Sequence, residues 1–197
     1  LCKLVQLKKE YGFALYVDEA HAVGIYGKKG LGKAEELDVL GEVDLLVGTF
    51  GKAFAGVGAY VICPKDIRDY LINFSRSFIF TTALPPVVIN WNRYILQKLE
   101  SFSEKREYLE KLSQKFRREL IAYNIQTAGS TNIIPVIIGD IEKTVRLAEK
   151  MCEDGFLILP VRPPTVPEGH SSLRIIMHSF NSETEIENFF RHVKKLF

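Results

Sequence analysis

Cysteine is scarce in this sequence. Cys2, Cys63 and Cys152 are the only three, and they are scattered, odd in number and without C-x-x-C spacing. That pattern argues against a disulfide framework or a zinc site and fits a reducing compartment, so a cytoplasmic protein with no metal is expected. Long apolar runs are missing too. No stretch approaches a membrane span and no signal-peptide pattern opens the chain, so no membrane partner is expected. An excess of one charge is also lacking: 26 Lys and Arg stand against 24 Asp and Glu, for a net charge of +2. Nucleic-acid binders usually carry a basic stripe. The one dense basic cluster, KFRREL at 115–120, lies in an acid-interleaved helical stretch and reads as a solvated helix face, so no nucleic-acid partner is expected.

What is present is apolar substance. Hydrophobic residues make up 47% of 197 positions, enough for a packed core in one large domain or two small ones. The chain opens on Leu1, and LCKLVQLKKEYG reads as the end of a helix already under way. The expectation is the C-terminal part of something longer.

Periodicity and punctuation lay out the elements. Gly12 ends the first helix and FALYV (13–17) reads as a buried strand running into Asp18. A glycine-punctuated loop, GIYGKKGLG (24–32), follows. DLLVGTF (44–50) and GVGAYVIC (56–63) read as further strands, and Pro64 is placed to start a helix through KDIRDYLINF. After the loop SRSFIFTTALPP, helical period persists from Val87 to about Ala122. NIIPVIIG (132–139) is a strand. Asp140 can cap the next helix and Gly155 can end it. FLIL (156–159) and SLRIIM (172–177) are strands separated by the proline-rich PVRPPTVPEG. Ser182 with Glu185 forms a capping box for the last helix, 183–197. No internal repeat is found.

Asp18-Glu19-Ala20-His21 spells a DEAH box, which in a helicase ends a strand and holds Mg²⁺ and an attacking water for ATP hydrolysis. The second strand argues otherwise. It ends in VGTFGKAFAGVGAY (47–60), where Lys52 lies 34 residues after Asp18. A Walker A loop needs G-x-x-x-x-G-K-[ST], but Leu46 stands where the first glycine belongs and Ala53 follows Lys52. A nucleotide loop upstream of Leu1 stays open. Ligands bind at the C-terminal edge of open α/β sheets. A lysine and a carboxylate converging there suit pyridoxal phosphate (PLP), which needs an amine for its Schiff base and an anion against its pyridine nitrogen. Thr49 can offer a hydroxyl to the phosphate and His21 can bond the ring's phenolic oxygen.

VDEAHAVGIYGKKGLG followed by TFGKAFAGVGAY resembles the α-oxoamine synthases among the fold-type-I PLP enzymes. These condense an amino acid with an acyl thioester and lose CO₂. The resemblance runs the whole length of the chain, and the pairing of two motifs is specific. It implies an aspartate-aminotransferase-like α/β fold. Residues 1–98 would be the C-terminal part of the PLP-binding large domain with a connecting long helix, and 99–197 a small α+β C-terminal domain. It further implies Asp18 on the pyridine nitrogen, Ala20 against one ring face and His21 at the ring oxygen. Thr49 and Lys52 match the family's T-[FL]-[GS]-K, with Lys52 bearing the cofactor and moving the α-proton. Thr81 and Thr82 match a pair that reaches the phosphate of the neighbouring subunit, which implies a homodimer with a shared site.

VRPPTVPEGHSSLR (161–174) resembles the family's biotin-pathway branch, which joins L-alanine to a pimeloyl thioester of CoA or acyl-carrier protein to give 8-amino-7-oxononanoate. Three prolines make a stiff loop that loses little entropy on ordering. Within the resemblance, Thr165 contacts substrate and Arg174 clamps the amino acid's α-carboxylate, as a bidentate guanidinium can. Two departures stand out. Asn181 replaces a histidine the family often carries. The family's N-terminal half, with its glycine-rich phosphate loop and ring-stacking residue, has no counterpart here, so the chain by itself is expected to hold half a site and to be inactive. Other α-oxoamine synthases (the aminoketobutyrate and aminolevulinate types), a DEAH-type ATPase fragment and a non-catalytic truncated piece remain as alternatives.

Overall fold

A computed structural model describes residues 1–193. The last four positions of the expected final helix lie outside the described residues. The chain forms two compact units, Leu1–Glu104 and Lys105–Phe197.

The first unit opens with α1 (Cys2–Tyr11), which Gly12 ends in the left-handed conformation with its N–H on the Lys8 carbonyl. β1 (Tyr16–Asp18) follows, then α2 (Lys33–Glu36), β2 (Leu45–Thr49), β3 (Ala59–Ile62), α3 (Lys65–Phe74), α4 (Arg76–Ile79) and α5 (Pro86–Lys98). The sheet runs β1-β2-β3, with β1 parallel to β2 and β2 antiparallel to β3. Asp44 fixes the start of that sheet. Its carboxylate accepts the Leu15 N–H at 2.6 Å and pairs with Lys8 at 2.6 Å, which ties α1 to the strands. The Leu15 amide, then the Lys8 ammonium, hold the Asp44 carboxyl below its ordinary value. At the other end of the sheet, Val23, Phe54 and Leu99 form a buried cluster flanked by Phe50, Tyr60 and Ile95.

The long helix expected over 87–122 is two helices. α5 stops at Lys98, a 3-10 turn spans Leu99–Phe102, and α6 (Ser103–Ala122) starts afresh. The serines explain the break. The Ser101 hydroxyl donates to the Lys98 carbonyl at 2.6 Å, a local bond that competes with the helical ladder.

The second unit packs helices on one face of a small sheet. After α6 come β4 (Ile133–Gly139), α7 (Ile141–Glu153), β5 (Leu159–Val161), β6 (Ser171–Ile176) and α8 (Glu183–Val193). The strand order is β4-β6-β5, antiparallel throughout. Strand alternation buries Ile134 and Val136 of β4 and Leu173 and Ile175 of β6. Helical spacing buries Leu109, Leu112, Phe116 and Leu120 of α6. Phe116 meets Phe189 and Phe190 of α8 at ring-centroid distances of 4.9 and 5.0 Å. Asp140 caps α7 through the Lys143 N–H at 2.7 Å, and Ser182 and Glu185 exchange capping bonds at the start of α8. In the basic cluster, Lys115 pairs with Glu183 and the Arg117 guanidinium donates to the Ala128 and Thr131 carbonyls. No helix among the described residues is long and apolar enough to cross a membrane.

Candidate active site

Parallel pairing of β1 and β2 sends both strands toward one sheet edge, with Asp18 beside Val47 and Thr49 two residues further along β2. Asp18 is exposed there, and its Oδ1 accepts the Ala20 N–H at 2.8 Å. The chain then turns tightly. The Ala22 and Val23 N–H groups both donate to the Glu19 carbonyl, at 2.7 and 2.9 Å. The turn buries Ala20 and leaves His21 exposed.

Lys52 emerges from β2 on a loop that is fixed at several points. Phe50 N–H donates to the Gly58 carbonyl at 2.9 Å and Gly56 N–H to the Phe50 carbonyl at 2.7 Å. From α5, Trp91 Nε1 donates to the Phe54 carbonyl at 2.9 Å and Asn92 Nδ2 to the Val57 carbonyl at 3.0 Å. Phe54 anchors the loop from beneath at 1% exposure. Lys52 and Ala53 stay exposed on the rim, and the Thr49 hydroxyl below them is buried without a hydrogen-bond partner. Thr81 and Thr82 are exposed in the segment between α4 and α5. That segment reaches the same loop: a Cβ on Gly58 would stand 2.6 Å from Leu84 Cδ1.

The second acidic residue of the DEAH box has a different place. Glu19 is 2% exposed and turns away from Asp18, as alternation along an extended chain requires. Its Oε2 accepts the Lys33 N–H at 3.0 Å and its Oε1 the Ala34 N–H at 2.7 Å. Both oxygens therefore cap α2, and a buried carboxylate spent on backbone amides is not presented to a metal or an attacking water. Sequence reasoning gave Glu19 no role. The signal was there in the glycine at position 32 ahead of K-A-E-E, a helix start lacking a capping side chain of its own. Burial, then the Glu19 charge, raises the Tyr60 phenol above its ordinary value. The Tyr60 ring crosses Gly48, its partner on β2.

Thr165 and Arg174 belong to the second unit. Thr165 is exposed in the loop between β5 and β6, where its N–H donates to the Arg162 carbonyl at 3.0 Å. Arg174 sits mid-strand on β6, between Pro135 of β4 and Leu159 of β5. It lies on the side opposite to buried Leu173 and Ile175, and its Nε is buried with no partner. Asn181, at the family's histidine position, closes a turn: its Oδ1 accepts the His178 N–H at 2.8 Å, and Tyr108 donates to its carbonyl at 2.8 Å.

Comparisons with known proteins identify the family. The profile described as Aminotransferase class I and II matches residues 1–193. The chain belongs to that family. Among curated relatives, a protein of Glaesserella parasuis named "Putative 8-amino-7-oxononanoate synthase" is 47% identical over 94% of this chain and 50% of its own length. One of the same name from Pasteurella multocida is 43% identical over 100% of this chain and 51% of its own length. The chain thus spans about half the length of the curated relatives it matches. Among solved structures, 8-amino-7-oxononanoate synthase from Francisella tularensis superposes with a TM-score of 0.84 at 31% identity, over 98% of this chain and 58% of that one. A serine palmitoyltransferase from Sphingomonas wittichii gives 0.91 at 30% identity, over 98% and 49%. A serine palmitoyltransferase from S. paucimobilis with a bound PLP–myriocin aldimine gives 0.92 at 27%, over 100% and 50%.

Proposed function

We propose that the protein is a PLP-dependent α-oxoamine synthase that joins L-alanine to a pimeloyl thioester with loss of CO₂, the 8-amino-7-oxononanoate synthase reaction of biotin biosynthesis. The observation that carries this reading is the buried, unpartnered hydroxyl of Thr49 at the strand edge that also presents Asp18 and the Lys52 loop. A buried hydroxyl without a partner is costly, and a phosphate oxygen is an acceptor that removes the cost. The relatives named above support the choice of reaction.

Bound there, PLP supplies an aldehyde for an amine and a ring that withdraws electrons from the substrate carbon. The rest falls to the chain. The Lys52 Nζ would hold the cofactor covalently and, as a free amine, would move the substrate's α-proton. The Asp18 carboxylate holds a proton on the pyridine nitrogen. Buried Ala20 offers a flat apolar contact to one ring face, and His21 bonds the ring oxygen. Thr49 donates to the phosphate. Thr81 and Thr82 serve the phosphate of the partner subunit in a homodimer. The Arg174 guanidinium grips the alanine carboxylate and Thr165 contacts the acyl substrate. Because the chain spans about half the length of these relatives, the reaction is to be assayed on the full-length protein.

The test is a product assay on the full-length protein with pimeloyl-CoA and pimeloyl-acyl-carrier protein, offering alanine, glycine or serine. Alanine-dependent CO₂ release and 8-amino-7-oxononanoate are expected. Turnover with serine or glycine in preference to alanine would move the protein to another branch of the family. ATP hydrolysis without PLP binding would contradict the family reading of the site.

A further inference from the structure

We infer that Glu19 is the positioning residue of the Asp18–His21 turn: by capping α2 with its buried carboxylate, it sets the direction in which Asp18 meets the cofactor. The inference rests on the role proposed for Asp18.

Asp18 and Glu19 are consecutive at the end of an extended strand, so their side chains leave the backbone on opposite sides. Fixing one therefore fixes the rotation of the other. Asp18 is exposed, and its carboxylate accepts the nearby Ala20 N–H, a contact that moves with the turn. Glu19 is the member held from outside, with its carboxylate on the Lys33 and Ala34 amides at 3.0 and 2.7 Å. Its own N–H donates to the Val47 carbonyl at 2.7 Å, so backbone and side chain are pinned to separate parts of the unit.

The receiving side is equally constrained. Gly32 precedes α2 at φ 115°, and a Cβ there would stand 2.8 Å from the Glu19 carboxylate. Glu35 of α2 turns back on the loop and accepts the Lys29 and Leu31 N–H groups at 2.9 and 2.8 Å. Gly24 N–H closes the loop on the Gly30 carbonyl at 2.7 Å. These bonds tie the segment 24–34 together, and the Glu19 side chain joins it to the turn. Burying a carboxylate is costly unless its oxygens are bonded, and bonds to an ionised acceptor are among the stronger ones. An apolar residue would fill the space without aiming anything.

The test uses the full-length protein and the variants Glu19→Ala, Glu19→Gln and Gly32→Ala. Four properties are measured: amide exchange over 24–34 without cofactor, PLP affinity, the pH dependence of the bound cofactor's visible absorbance, and thermal stability. Glu19→Ala should speed exchange over 24–34, weaken PLP about tenfold or more, and shift the absorbance pH profile, because misaimed groups lose their leverage steeply with distance. Glu19→Gln keeps one acceptor and should fall between Glu19→Ala and the parent. Gly32→Ala should act in the same direction from the other side of the contact. Variants that are less stable yet bind PLP with unchanged affinity and pH profile would make Glu19 merely structural and overturn the inference. If the parent protein itself shows no saturable PLP binding, the proposed function falls and this inference with it.

Discussion

Gly24 stands directly against Ala53: a Cβ on Gly24 would lie 2.6 Å from the Ala53 methyl carbon. Gly24 ends the turn that carries Asp18, Ala20 and His21, and Ala53 follows Lys52. The two motifs are far apart in sequence, and here they touch with no room for one more carbon. This contact brings the strand end and the loop together.

Gly24→Ala tests the contact. The residue has φ 83°, so alanine there meets both backbone strain and overpacking. A loss of about 2 kcal/mol is expected in urea unfolding. Ala53→Gly in the same chain should restore part of it by removing the opposing methyl. A double variant no more stable than Gly24→Ala would contradict the contact.

Acid should release α1 from the sheet. Asp44 has its folded-state pKa lowered by the Leu15 amide and Lys8. A carboxyl lowered on folding contributes stability that is present above its unfolded value, about 3.9, and is lost as pH falls through the folded value. Unfolding free energy should therefore decline below about pH 4. Asp44→Asn should lower stability at neutral pH and flatten that decline. The flattening is partial, because Glu185 is lowered the same way by the Ser182 amide and hydroxyl. An unchanged acid slope in Asp44→Asn would contradict the assignment.

Much of this was legible in the sequence because it rests on local chemistry. Gly12, Asp140 and the Ser182–Glu185 box terminate or cap their helices as their residue types require. KDIRDYLINF is α3 to the residue. The misses have tertiary causes. FALYV holds only a short strand at 16–18: the Leu15 N–H goes to the Asp44 carboxylate, and only the Leu15 carbonyl takes an N–H from β2, that of Leu45. FLIL is displaced: β5 begins at Leu159, where pairing with Arg174 starts. The role of Glu19 was missed because its partners are backbone amides 14 and 15 residues away, and the uncapped helix start at Gly32 does not by itself say which side chain serves it. The motif residues sit on one edge because β1 and β2 are parallel, which a resemblance can imply and periodicity cannot.

The role proposed for Arg174 separates substrate binding from cofactor binding. Its Nε is buried and unpartnered, so the guanidinium has bonding capacity to give. Arg174→Ala in the full-length protein should leave PLP affinity intact and weaken L-alanine about tenfold to a hundredfold, the loss of a charge-assisted bond of roughly 1.5–3 kcal/mol. Arg174→Lys keeps the charge without the fork and should recover part. Spectral titration with alanine reads both. Normal alanine binding with lost pimeloyl-thioester binding would place Arg174 in the acyl site.

The central claim is that Lys52 carries the cofactor, and borohydride reduction tests it most directly. The full-length protein is loaded with PLP, reduced, digested and mapped by mass spectrometry. The account predicts one phosphopyridoxyl group, on the peptide containing Lys52, and none in Lys52→Ala at unchanged fold by circular dichroism. Stable label on another lysine in the parent protein, or undiminished label in Lys52→Ala, would contradict it.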